Sequence, residues 1–330
     1  MRRKRYAGRN PRHFSEKYKE QNAPRYAEEF AKVLARGQTP AGTHRPGMVR
    51  EILEVLAPKA GDFAVDCTLG FGGHAVAILP AIQPGGRLLG LDADPIELPK
   101  TESRLRASGV GPDVFTVRRV NYAGLAKILE TPADIILADL GVSSMQIDNP
   151  DRGFTYKYNG PLDLRMNPQR GQPASALLAS LDEERLAQLL LDNADEPEAP
   201  AIAHAISLEK ITTTVHLANV IRKTGATDDS VRRVFQALRI AVNDEFSALD
   251  TLLRSLPQCL KPGGRAAILT FHSGEDRRVK KAFQAGERDG TYASISREVL
   301  RPSPEERRDN PRCTSAKLRW AVRGIQQRVL

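Results

Sequence analysis

Three short stretches carry residues whose types and spacing suit chemistry. In CTLGFGGHA, Gly70, Gly72 and Gly73 follow one apolar run and open another. Glycines there let the backbone turn tightly and approach a ligand, and a helix N-terminus adds amide donors and a positive dipole end. Asp92 ends the next apolar run, RLLGLDAD, about twenty residues on, where a carboxylate can accept both hydroxyls of a ribose. The pair suits any nucleoside-containing cofactor. Gly70 to Ala75 also fits G-x-G-x-x-A, which keeps a nicotinamide cofactor open. Asp66, just ahead of the glycines, suits the cationic amino acid end of S-adenosylmethionine better than a pyrophosphate, and no second mononucleotide-binding unit is evident.

The third stretch, IILADLGVSSMQIDNPDRGF, ends a buried run on Asp139 and continues into a long polar loop. A lone carboxylate at the end of such a strand sits where open parallel sheets place their chemistry. Loop residues 145–172 hold Arg152, Arg165 and Arg170, which can contact phosphates, and Phe154, Tyr156 and Tyr158, which offer stacking faces. With the helical runs that follow, the loop can form a lid and groove around an extruded base.

These residues need strands and helices to place them. FAVDC, RLLGLDAD, VFTVRRV and IILADL read as short buried strands, with helical segments HAVAILPAI, 95–107 and 122–130 between them. Strands alternating with helices imply an α/β fold, a doubly wound, mostly parallel sheet with right-handed crossovers. The alternation stops over 150–230, where a loop and helical runs form an insert without a convincing strand. RRVFQALRIAVNDEFSALDTLLRSLPQCL has the spacing of one long helix. KPGGRAAILTFHS restores the turn-strand pattern and KLRWAVRGI is a last strand. The expected divisions are a basic, partly disordered extension over 1–42, a first part of the sheet domain over 43–149, the insert over 150–230, and a second part over 231–330.

Net charge is +9, unevenly spread. Residues 1–45 hold 12 Lys and Arg against 4 Asp and Glu, and 261–330 hold 16 against 8, which leaves the middle acidic. Two basic ends around an acidic middle suit a polyanion touched at particular places. Cys67, Cys259 and Cys313 are far apart and lack metal-ligand spacing, so no metal is expected and a reducing, cytoplasmic setting is. No apolar run approaches a membrane span, and the basic start lacks the apolar region of a secretory signal.

THRPGMVREIL, TLGFGGHA, GLDADP, DLGVSSMQIDNPDRGF, GPLDLRM, FQALRIAVNDEF, FHSGEDRRVK and NPRCTSAKLR follow one another as in a single family. Over about residues 43–325 the chain resembles the MraW/RsmH family, S-adenosylmethionine-dependent methyltransferases of class I Rossmann-like fold. The family modifies the exocyclic amine of a cytosine in small-subunit ribosomal RNA. The resemblance implies that Gly72, Gly73, His74, Asp92, Tyr122, Asp139 and Gln146 bind the cofactor, beside Asp66 and Gly70. Asp139, Ser143, Ser144 and His272, with Ser273, are the expected catalytic groups, and Arg152, Phe154, Arg165 and Arg170 the expected substrate contacts. The expected partner is ribosomal RNA of the small ribosomal subunit.

Some positions depart from the family's pattern. Its Gly-Glu-Glu-Arg stands here as Ala194, Asp195, Glu196 and Pro197, and its His-Pro as Asp229 and Ser230. Gly47 replaces a valine, and Asn159 and Asn167 replace two acids. These changes fall on the substrate side, which leaves open a relative with another RNA target, or a non-catalytic assembly factor that keeps the cofactor fold.

Overall fold

The computed structural model describes residues 46–325; the expected basic arm lies outside them. The strands are β1 (Phe63–Asp66), β2 (Arg87–Asp92), β3 (Phe115–Arg119), β4 (Ala133–Asp139), β5 (Leu260–Thr270), β6 (Tyr292–Ile295) and β7 (Lys317–Arg323). They form one sheet in the order β3-β2-β1-β4-β5-β7-β6. Pairs from β3 to β5 are parallel, and β7 runs antiparallel to both neighbours. The strand order reverses between β1 and β4, and such a switch point opens a crevice at the strands' carboxyl ends.

The central strands are apolar on both faces because helices cover both. Ala64, Leu88, Ile135, Leu137 and Leu269 pack on one side with α1 (Val49–Leu56) and α2 (Gly73–Ala81). Val65, Leu89, Ile136 and Ile268 pack on the other, with Leu249, Leu252 and Leu256 of a later helix. Each such buried side chain contributes roughly 1.5–3 kcal/mol, so the alternation within each strand holds three layers together. α3 (Glu97–Ala107) follows β2; α4 (Leu125–Ile128), behind a 3₁₀ turn at Tyr122–Gly124, follows β3.

After β4 comes a short helix, α5 (Ser144–Asp148), and then α6 (Ala174–Ser180), α7 (Glu183–Ala194), α8 (Ala199–Ser207), α9 (Thr214–Lys223) and α10 (Asp228–Asn243). Their inward faces make a separate apolar core that runs from Leu162 to Leu238. The expected long helix is two. It stops at Asp244, which takes left-handed φ 50° and ψ 43°, and restarts as α11 (Glu245–Cys259). The break turns α10 toward the second core while α11 packs on the sheet, which continuous apolar spacing does not reveal. α12 (Ser273–Arg288) and α13 (Pro304–Asp309) complete the chain, and β6 is an edge strand the sequence pattern did not mark.

Candidate active site

β1 and β4 lie side by side in the register Asp66↔Leu137, so Asp66 and Asp139 end neighbouring strands at the switch point. The backbone beyond each strand is held in turn. Cys67 N–H donates to the Leu137 carbonyl, Asp139 N–H to Thr68 Oγ1 at 2.7 Å, and Leu140 N–H to the Leu269 carbonyl.

On the β1–β2 side the glycine turn carries positive φ, 49° at Gly70 and 77° at Gly72, which caps α2. A Cβ on Gly72 would meet Thr101 Cγ2 at 3.1 Å and Leu105 Cδ1 at 3.3 Å, so the turn also seats against α3. Gly73 opens α2, and His74 behind it is buried with Nδ1 3.6 Å from Asp139 Oδ2. Asp92 binds this turn from the next strand: Oδ2 accepts Gly70 N–H and Oδ1 accepts Asp94 N–H, both at 2.8 Å. Thr101 Oγ1 donates to the Gly70 carbonyl and Arg104 to that of Phe71. Burial raises the carboxyls of Asp66 and Asp92 to about 6, although His74 opposes the rise at Asp66 and the backbone N–H groups of Asp94, Gly70 and Ala93 oppose it at Asp92. Tyr122 packs beside α11; burial, and then the charge of Glu245, push its hydroxyl far above the ordinary range.

Asp139 faces differently. Its Oδ1 is buried with no hydrogen-bond partner, and His272 Nδ1 is buried without one as well. Burial lifts the Asp139 carboxyl to about 7, and the charge of Glu275 adds to it. His272 sits before α12 with Nε2 3.2 Å from Glu275 Oε1 and its ring 5.8 Å from that of Phe246. Glu275 is buried, which would raise its carboxyl, yet His272, Arg239 and the Phe271 N–H hold it below the ordinary glutamate range. Arg239 is itself clamped by both oxygens of Glu245 at 2.8 and 2.9 Å. A neutral-leaning acid at Asp139 and the His272 imidazole paired with Glu275 are suited to hold and move a proton.

The loop after Asp139 is built from capping. Ser143 Oγ accepts Gln146 N–H, and Gln146 Oε1 accepts Ser143 N–H, a reciprocal box that starts α5 with Ser144 as its first residue. Gln146 turns inward and donates to Asp94 Oδ2 at 2.8 Å. Arg152 corrects an expectation. It is 6% exposed, pairs with Asp94 Oδ2 at 2.8 Å and donates to the carbonyls of Arg165 and Met166, so it has no reach to a phosphate. Arg165 is forked onto Asp163 at 2.8 and 2.7 Å, whereas Arg170 is exposed. Phe154 and Tyr156 pack on the second core, so their faces are less available than expected; Tyr158 is 57% exposed. Ser273 lies 3.4 Å from Asp195 and is exposed.

Residues 41–324 match the MraW methylase family. The chain belongs to that family. Among its relatives, "Ribosomal RNA small subunit methyltransferase H 2" of Alkaliphilus metalliredigens is 48% identical, over 98% of this chain and 97% of that protein. "Ribosomal RNA small subunit methyltransferase H 1" of Lachnoclostridium phytofermentans is 46% identical, over 98% and 93%. A protein of Acholeplasma laidlawii named as the first is 47% identical, over 98% of each chain.

As a MraW methylase the protein is a methyltransferase of Rossmann-like fold that takes S-adenosylmethionine. The residues at the switch point fit that group: a buried acid at Asp66, a glycine turn held by Asp92, and an unpartnered oxygen on Asp139. Polar residues of this site that were not singled out from the sequence include Asp94, Asn243, Glu245 and Glu275. Asp94 had a local signal, an acid two residues past Asp92 and just before proline, where side chains often accept backbone N–H groups. The others are carboxylates and an amide on helices, which read as solvated faces until packing buries them. Among the described residues no helix is long and apolar enough to cross a membrane.

Proposed function

We propose that the protein transfers a methyl group from S-adenosylmethionine to the exocyclic 4-amino group of a cytosine in small-subunit ribosomal RNA. The observation that carries the reading is the buried, unpartnered Oδ1 of Asp139 at the switch point. A cytosine amine is a poor nucleophile because its lone pair is delocalised into the ring. An acceptor that holds the amine hydrogens localises that pair in line with the methyl group. Asp139 Oδ1 is that acceptor, and a carboxyl near about 7 is tuned to take the proton released as the bond forms. His272, and Ser143 and Ser144 at the start of α5, complete the ring of polar groups around the amine. Bound S-adenosylmethionine supplies an electrophilic methyl on sulfonium.

In the same proposal Asp66 faces the amino acid end of the donor, Gly70, Gly72, Gly73 and His74 bound its central part, and Asp92 takes the ribose. Tyr122 and Gln146 wall the adenine side. Arg165 and Arg170 approach RNA phosphates, and Phe154 backs the base. The cytoplasmic location of ribosomal RNA follows from the same reading.

Methylated nucleotides of small-subunit RNA should be mapped by mass spectrometry with and without the gene. One cytosine is expected to lose an N4-methyl group without it; identical maps would sink the reading. A different modified nucleotide would favour the second reading, the same chemistry on another RNA position. That reading is favoured by Pro197 and Ser230, two departures from the family's pattern that line one recess of about 300 Å³ in the insert.

A further inference from the structure

Asp94 is 1% exposed, and its pair with Arg152 lies at the centre of a continuous run of hydrogen bonds. Toward the donor side, Asp94 N–H binds Asp92 Oδ1, and Asp92 Oδ2 binds Gly70 N–H. Toward the loop, Asp94 Oδ2 takes Gln146 Nε2, whose Oε1 holds Ser143 N–H at 2.9 Å. Arg152 Nη2 then donates to the carbonyls of Arg165 at 3.2 Å and Met166 at 2.8 Å. Asn243 grips the same segment from α10, accepting from Met166 N–H and donating to the Leu164 carbonyl, both at 2.7 Å.

Two properties give this arrangement a meaning beyond stability. Burying an ion pair costs desolvation that its attraction barely offsets, so apolar residues would hold the loop at least as well. A guanidinium, however, is a rigid planar fork that holds a carboxylate and carbonyls at fixed angles together. The strand end it grips carries Asp92, and the segment it grips carries Arg165.

We infer that Arg152 is a positioning residue for methyl transfer: through Asp94 it fixes the span between the donor's ribose site and the RNA-facing loop. This rests on the function proposed above. It replaces a phosphate contact with an internal bracket, and the two make different predictions. A lost phosphate contact lowers by about one the slope of log affinity against log salt. A lost bracket leaves that slope alone.

The test uses the full chain with Asp94→Asn, Arg152→Gln and the double variant Asp94→Asn/Arg152→Gln. Calorimetry with S-adenosylhomocysteine, RNA affinity across a salt series, and steady-state methylation of small-subunit RNA are the readouts. Expected are a fall in kcat of about tenfold to a hundredfold, a raised KM for RNA, donor-product affinity within about threefold of wild type, and an unchanged salt slope. Asp94→Asn removes no cation and should reproduce the effect, with the double variant no worse than the singles because both changes break one bracket. A slope lowered by about one in Arg152→Gln, additive losses in the double variant, or unaltered kcat would overturn the inference. If Arg152→Gln does not fold, the double variant, which leaves no unpaired buried charge, carries the same readouts. A wild type that neither binds nor methylates small-subunit RNA would bring down the functional reading and this inference with it.

Discussion

Asp66, Asp92 and Asp139 hold their protons to about 6, 6 and 7 in the folded chain, against 3.8 unperturbed. Burial is the main cause at all three. Between the unfolded and folded values the native state binds a proton that the unfolded state has lost, so the stability each contributes falls as pH rises through that window. Thermal unfolding should therefore show a midpoint that declines from acid toward neutral pH, then levels above about 7. Asp139→Asn removes one of these titrations. The variant is expected to decline less and to be the more stable protein at about pH 8, while methyl transfer drops by about a hundredfold or more. An unchanged pH slope would show that Asp139 is ionised well below that value. Unchanged turnover would remove it from proton transfer.

The loop after β4 is held as an element. Gly153 has φ 75°, and a Cβ there would lie 2.7 Å from Asp163 N, with the Pro161 carbonyl closer still. Gly160 presses against the Pro150 carbonyl in the same way. The two glycines therefore let two strands of one loop cross in contact, and so bring Arg152 to Asp94. Gly153→Ala adds left-handed strain of about 1–2 kcal/mol and a backbone clash that the loop must shift to relieve. Its expected signature is a turnover loss well beyond any change in S-adenosylhomocysteine affinity, since the donor-side turn at Gly70 and Gly72 is built from other elements. Equal losses in calorimetry and turnover would mean that the loop and the donor pocket are one unit.

Among the described residues the apolar core has two parts: one binds helices to both faces of the sheet, the other assembles the insert. In the second, the fully buried Glu196 is met by Ser230 Oγ at 3.0 Å, Glu198 N–H at 3.1 Å and Arg233 Nε at 2.7 Å. The Ser230 hydroxyl completes the shell of a carboxylate with no exposed surface. Arg233→Met strands that charge. With Arg233 one-third exposed, the expected cost is about 2 kcal/mol in chemical denaturation, below the cost at a fully buried pair. Glu196→Gln/Arg233→Met should recover much of it. A double variant as unstable as the single would show that packing, not charge, holds this corner.

What the sequence determined by itself is local or periodic. Apolar runs ending on Asp66, Asp92 and Asp139 marked strands, glycines at 70–73 marked a turn before a helix, and their alternation implied a parallel sheet, because each signal depends on neighbours in the chain. The order of motifs carried the family resemblance. Tertiary structure alone decided the rest. It broke the expected long helix at Asp244, buried Arg152 against Asp94, and left Asp139 Oδ1 without a partner. Whether a charged side chain meets solvent, a phosphate or an acid 58 positions away depends on which surfaces pack together, and no spacing within the loop encodes that.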